Sequence, residues 1–186
     1  EKITEGLNIL EQETYIQRNG DMYEFLTKEE KDIETEIKNT ELENSDLTET
    51  ISELVFKDII QSPKIRYSAL NIDYKYTTKV DGETRGYPSE LGINVISPLY
   101  NVGAENELSI IAETMNSDDL FILLGSNDNF IRDIQLFKRT TKYIRQNSRE
   151  GMDSTKSQII TAKGSQNQTR HKSIKQQAEK LVSNAK

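Results

Sequence analysis

The sequence contains no cysteine and a single histidine, His171. Without cysteine there is no disulfide scaffold, thiolate zinc site or cysteine nucleophile. One histidine excludes a multi-histidine metal site and any mechanism that needs two. No apolar run approaches the roughly 20 residues that span a bilayer, and no secretory leader is recognisable. The expectation is a soluble cytoplasmic protein with no membrane contact. Glu1 at the start and a helix-like run to Lys186 at the end read as an excised piece of a longer chain. What remains is a chain of 186 residues, 30% charged and 34% hydrophobic. That is polar for a globular domain, but Leu, Ile, Val, Phe and Tyr are numerous enough for a core.

The net charge of −7 hides a gradient. Residues 1–60 carry 6 basic and 17 acidic side chains, residues 61–127 carry 5 and 9, and residues 128–186 carry 13 and 5. The last stretch is therefore +8. An acidic front and a basic tail can attract each other or face separate partners. The plain reading is two solvated helical faces; the sharper one is nucleic-acid contact by the tail.

Ile3, Leu7 and Leu10 are spaced as a short amphipathic helix. Asn19-Gly20 between aromatic-rich runs is a strong hairpin signal, because a type I′ turn needs positive φ at both central residues. Helix then hairpin over 1–26 resembles the back half of a winged helix, with 15–26 as the wing; a plain hairpin packed on the next helix is the alternative. Thr27 and Glu30 form a capping box for a helix over 28–39, with Ile33 and Ile37 inward and an acidic outer face. Asp46 with Glu49 reads as a second box before a helix over 47–61, striped by Leu47, Ile51, Leu54, Val55 and Ile59. Residues 65–98 are β in character: Tyr74 to Val80, an Asp81-Gly82 turn, a return over Glu83 to Tyr87, and a further strand from Leu91 to Ser97. A helix over 105–115 turns Leu108, Ile111, Ala112 and Met115 to one side. The short apolar run Leu120 to Leu124 predicts a strand buried on both faces.

A helix over 128–147 follows, with Phe130, Ile134, Phe137 and Ile144 on one side and Arg132, Lys138, Arg139, Lys142 and Arg145 over much of the rest. After a break near Gly151, residues 153–185 read as a polar helix. Two thin apolar stripes, Ile159-Ile160 and Ile174 to Ala185, flank a stretch from Lys163 to Ser173 without a large apolar residue. Such a helix buries little alone and needs another chain, or the rest of its own chain, along parts of its length; it is expected to project and to pair with a second copy. The division expected is 1–26, an α/β domain over 27–150 and a basic C-terminal helix over 151–186. Its fold class is α/β (α+β): a small mixed sheet with hairpins, against which helices 28–39, 47–61 and 128–147 pack.

Motifs for chemistry are sparse. The strand–Gly125-Ser126-Asn127–helix junction invites a phosphate reading, since helix N-termini hold anions. There is no G-x-x-x-x-G-K-[ST], however, and Gly125 stands alone; Ser126 or Asn127 as N-cap is the ordinary explanation. Glu29/Glu30 and Asp118/Asp119 are sequence neighbours and do not form a general acid/base pair by spacing. His171 stands between Arg170 and Lys172, with no carboxylate one turn away to orient it, and reads as a surface residue. No nucleophile turn is recognisable. Lys138 to Arg145 interleaves bases with Tyr143 and can track a phosphate backbone or form the polar side of an amphipathic helix. The candidate nucleic-acid contacts are Arg132, Lys138, Arg139, Lys142, Arg145, Arg170 and Lys172; no catalytic, cofactor or metal residue is proposed.

Several phrases have a family character. Tyr15 to Ile33 (YIQRNGDMYEFLTKEEKDI) and Glu36 to Thr40 (EIKNT) resemble a stretch of the large P-loop ATPase of BREX phage-defence systems, the BrxC/PglY type. Arg66-Tyr67-Ser68, Val80-Asp81-Gly82, Glu90-Leu91-Gly92, the strand at 120–124 and Lys142 to Arg145 follow in the same order, so the resemblance spans nearly the whole chain. It implies an internal segment downstream of the ATPase core of a bacterial cytoplasmic protein that works with other BREX components against phage DNA. ATP and Mg would belong to the full-length protein; the Walker lysine has no counterpart here. The function expected is a non-catalytic module serving assembly, including self-association, or DNA engagement. The alternative is a stand-alone nucleic-acid-binding protein using its basic C-terminal helices.

Overall fold

The computed structural model describes residues 2–19, 22–100, 104–148 and 153–185. The described residues form helices and a mixed sheet, an α/β architecture, in two compact units. One comprises residues 1–42 with 135–173, the other residues 43–134 with 174–186. The division falls within two long helices, so each of these is described in two parts.

In the first unit, helix α1 (Lys2–Gln12) leads to strands β1 (Ile16–Asn19) and β2 (Met22–Phe25), which pair antiparallel. Pairing ends at Asn19↔Met22. Asn19 therefore sits in the ladder, and the turn itself lies outside the described residues. The α1 helix forms, but its stripe is not buried among the described residues: Ile3 and Leu10 are exposed and Leu7 is half-buried. Helix α2 (Lys28–Lys38) has the expected box: Glu30 N–H donates to Thr27 Oγ1 at 3.3 Å and Thr27 N–H donates to Glu30 Oε2 at 2.8 Å. It was expected on the sheet but belongs to this unit. Ile33 and Ile37 pack there with Tyr143 of α5 (Asp128–Asn147) and Ile160 of α6 (Ser154–Ser183). Tyr143 donates its hydroxyl to Glu36 at 2.7 Å. Burial, and then this carboxylate, push the Tyr143 phenol above its ordinary pKa, so it remains a proton donor.

The expectation of a projecting tail helix is not met. Ile160 is buried in this unit, and the polar centre of α6 is buried too: Lys163 and Asn167 are each 5% exposed. Lys163 Nζ donates to Gln17 Oε1 at 2.6 Å and pairs with the Glu34 carboxylate. Asn167 Nδ2 donates to the Phe137 carbonyl at 3.1 Å and to Thr141 Oγ1 at 2.9 Å. An apolar stripe was the wrong criterion, because paired polar groups fill the gap between the two apolar ends. For the same reason the outer face of α2 is not uniformly solvated: Glu34 is buried.

In the second unit, α3 (Asn44–Ser52) begins one cap earlier than expected. Its box joins Glu43 and Asp46, with Glu43 N–H donating to Asp46 Oδ2 at 3.0 Å. The helix continues as a π-helix over Glu53–Ile60 and stops at Gln61, φ 56°. The wider winding brings Phe56 into the core beside Leu54 and Val55, while Ile59 is only half-buried. Phe56 lies 6.2 Å, ring to ring, from Tyr76.

The sheet runs β3 (Lys64–Tyr67), β4 (Ile72–Val80), β6 (Leu91–Ile96), β7 (Asp119–Leu123), with β5 (Glu83–Thr84) also on β4. β3 and β5 are antiparallel to β4; β4, β6 and β7 are parallel. The Asp81-Gly82 turn has φ of 52° and 82°, the positive values a type I′ turn requires. The return strand is only two residues long, because Arg85 N–H makes one last bond to Thr78 and the chain departs.

Two apolar expectations reverse. Leu120 on β7 is 52% exposed, since among the described residues this strand is an edge paired only with β6. In α4 (Ala104–Thr114) Ile110 is buried, while Leu108 and Ile111, with Met115 just beyond the helix, are exposed. The helix turns its broader apolar stripe outward. The first turns of α5 contribute buried Phe130 and Ile134, capped by Asn127, whose Oδ1 accepts the Phe130 amide at 3.0 Å. The end of α6 contributes buried Ile174 and Ala178, and Gln177 Nε2 donates to Asp133 Oδ2 at 2.8 Å.

Candidate nucleic-acid interface

The seven basic candidates have different surroundings. Arg132, in the second unit, is exposed and donates to Asn129 Oδ1 at 3.0 Å. The other six lie in the first unit. Lys142 donates to the Glu41 carbonyl at 2.8 Å and so ties α5 to the chain after α2. Arg139 is half-buried, its Nε buried without a hydrogen-bond partner among the described residues. Lys138 is half-buried, and Arg170 donates to Asn167 Oδ1 at 2.8 Å. Arg145 and Lys172 are exposed and converge on one open groove.

That groove, about 640 Å³, runs between the first-unit portions of α5 and α6. Phe137, Thr141, Ile144 and Arg145 line it from α5; Gly164, Asn167, Gln168, His171 and Lys172 line it from α6. His171 is not a bare surface residue: it is half-buried, with its ring centroid 5.0 Å from that of Phe137 and the rings 35° apart. Sequence spacing hid this pairing because it joins residues on two helices. The usable signal was Phe137 on the α5 stripe. The groove therefore offers an aromatic pair, an aliphatic wall and two cations that can neutralise phosphates.

Two other places invite chemistry and offer little. Ligands of open α/β sheets bind beyond the carboxyl ends of the parallel strands. Here Asp81, after β4, accepts from Ser97 N–H and Ser97 Oγ, each at 2.7 Å, and Gly82 N–H donates to Asn94 Oδ1 at 3.1 Å. Burial pushes the Asp81 carboxyl above the usual carboxylate range despite these bonds. Ser97 is fully buried, so the cluster clamps a turn and exposes no nucleophile. The loop after β7 does not fit a nucleotide phosphate either: it has one glycine, no lysine follows, and Asn127 already occupies an N-terminal amide of α5. No group of three or more His, Cys, Asp and Glu side chains suited to a metal occurs among the described residues, nor any helix long and apolar enough to cross a membrane.

Residues 40–186 match the model of a family described as "BREX ATP-binding protein BrxC 4th domain with six-stranded beta sheet". That span is most of the chain, and the chain belongs to this family. It is thereby a segment of a BREX phage-defence protein outside the ATPase core. The described residues within the span contribute five strands to one sheet. No solved structure matches the chain.

Proposed function

We propose that this BrxC-family chain is a non-catalytic module through which a BREX ATPase engages DNA in the bacterial cytoplasm. The observation that supports this best is the convergence of Arg145 and Lys172, beside His171, on one open groove. Cations positioned in this way displace counterions from a phosphate backbone, giving weak binding that falls steeply with salt. ATP and Mg act elsewhere in the full-length protein, and the remaining partners are other BREX components. The test is fluorescence anisotropy of labelled DNA at low salt. Arg145→Gln with Lys172→Gln should reduce binding severely; unchanged affinity would overturn the reading.

A second reading, assembly, has its own observation. Leu108, Ile111 and Met115 at α4 and Leu120 on β7 leave apolar surface exposed in the second unit. Leu124 N–H bonds to the Ile96 carbonyl, so by alternation the peptide groups of Phe121 and Leu123 point away from β6. An edge strand of this kind can accept another strand. Leu120→Lys should abolish any self-association or capture of a neighbouring BREX segment, read by sedimentation.

A further inference from the structure

We infer that the α5–α6 groove takes single-stranded nucleic acid, with an unstacked base on the Phe137–His171 pair and the flanking phosphates held by Arg145 and Lys172. The inference rests on the DNA-engagement reading and narrows it to one class of nucleic acid. The aromatic pair is the first support. Phe137 and His171 both line the groove and are both half-buried, so the platform is reachable. Bases stack on such platforms without regard to sequence, because every base has a π-face. A duplex keeps those faces covered by its own stacking.

The charges are the second support. Arg145 and Lys172 come from different helices and border the same apolar floor, so cations stand beside the platform where the flanking phosphates would lie. The Asn167 amide is occupied by Phe137 and Thr141. That leaves Gln168, exposed on the rim, as the amide available to a base edge. Sequence preference should accordingly be slight.

Gly164 is the third support. It lies within a helix of 30 residues, where glycine is less favourable than alanine. Among the described residues an added Cβ would meet Ile144 Cδ1 at 3.9 Å, an ordinary contact. Packing of the two helices therefore does not require glycine here. Clearance of the groove, whose wall Gly164 forms, gives it a reason. A volume of about 640 Å³ lies within the range of small-ligand sites and accommodates a nucleoside.

The test compares a short labelled oligothymidylate with a duplex of equal length, using the whole chain at low salt. Single-strand affinity should exceed duplex affinity by about tenfold, and Phe137→Leu, which keeps apolar volume but loses the ring, should weaken single-strand binding by about tenfold. Arg145→Gln with Lys172→Gln should lower the slope of log K against log salt by about 1.4. Gly164→Ala should raise the thermal midpoint while weakening single-strand binding, and it decides the matter if Phe137→Leu fails to fold. Equal or tighter duplex binding, with Gly164→Ala and Phe137→Leu both silent, would overturn the single-strand assignment and leave the DNA reading standing. Failure of both nucleic acids to bind would overturn both.

Discussion

Replacing Lys163 by Met should destabilise the first unit by about 3–5 kcal/mol, the usual cost of stranding one member of a buried ion pair. The structure supplies the reasons for expecting the full range. The side chains of Lys163 and Glu34 are only 6% and 11% exposed. Removing Lys163 would leave the Glu34 carboxylate buried without its cation and Gln17 Oε1 without its donor. Replacing the pair together, Lys163→Met with Glu34→Leu, exchanges the charges for apolar volume and should cost little or even stabilise. Hydrogen exchange of the α2 and α6 amides reads the opening free energy of this unit directly. A loss below about 1 kcal/mol for Lys163→Met, the scale of an exposed pair, would refute the reasoning. It would mean that α6 is not seated on α2.

Asp81→Asn keeps an oxygen for the Ser97 amide and a residue type that tolerates positive φ, so it should cost under about 1 kcal/mol at neutral pH. Because the folded-state pKa of Asp81 is raised, the wild type holds a proton there that the unfolded chain has lost, and its stability falls as pH rises from the ordinary carboxylate value through the raised one. Thermal unfolding followed upward in pH from the ordinary carboxylate value should show that slope in the wild type and a flatter one in Asp81→Asn. Gly92→Ala would place a Cβ 1.9 Å from Asp119 Oδ1 and so displace Asp119 from Lys79, now bonded at 2.6 Å. A loss of about 1–2 kcal/mol in urea unfolding is expected, and none if the carboxylate has room to swing aside. Calorimetry of the isolated chain with ATP should show no binding, since the sequence has no G-x-x-x-x-G-K-[ST] phosphate loop; micromolar affinity would contradict that.

Local chemistry was legible in the sequence. Thr27 and Glu30 cap α2, Asp81-Gly82 turns β4 into β5, and the limits of α5 agree within a residue, because each depends on neighbours a few positions apart. What depended on distant partners was not. In α4 Ile110 is buried while Leu108 and Ile111 are exposed, because which face of a helix turns inward is set by what it packs on and not by its own stripe. The apolar β7 run suggested a central strand, yet its place at the edge is set by sheet order, which composition does not encode. The burial of Lys163 and Asn167 was not legible because their partners, Glu34, Gln17, Phe137 and Thr141, lie far off in sequence. The candidate site is half visible for the same reason: the sequence shows Arg145 and Lys172 as bases, but their meeting with Phe137, His171 and Gly164 is a product of α5–α6 packing.

The most direct test of the account is a hydrogen-exchange footprint of the whole chain with and without a saturating short single-stranded oligonucleotide at low salt. The α5–α6 assignment predicts added protection confined to residues 137–145 and 164–172, absent when Arg145 and Lys172 are both Gln. Protection centred on α4 and β7, or none anywhere while binding is saturated, would contradict it.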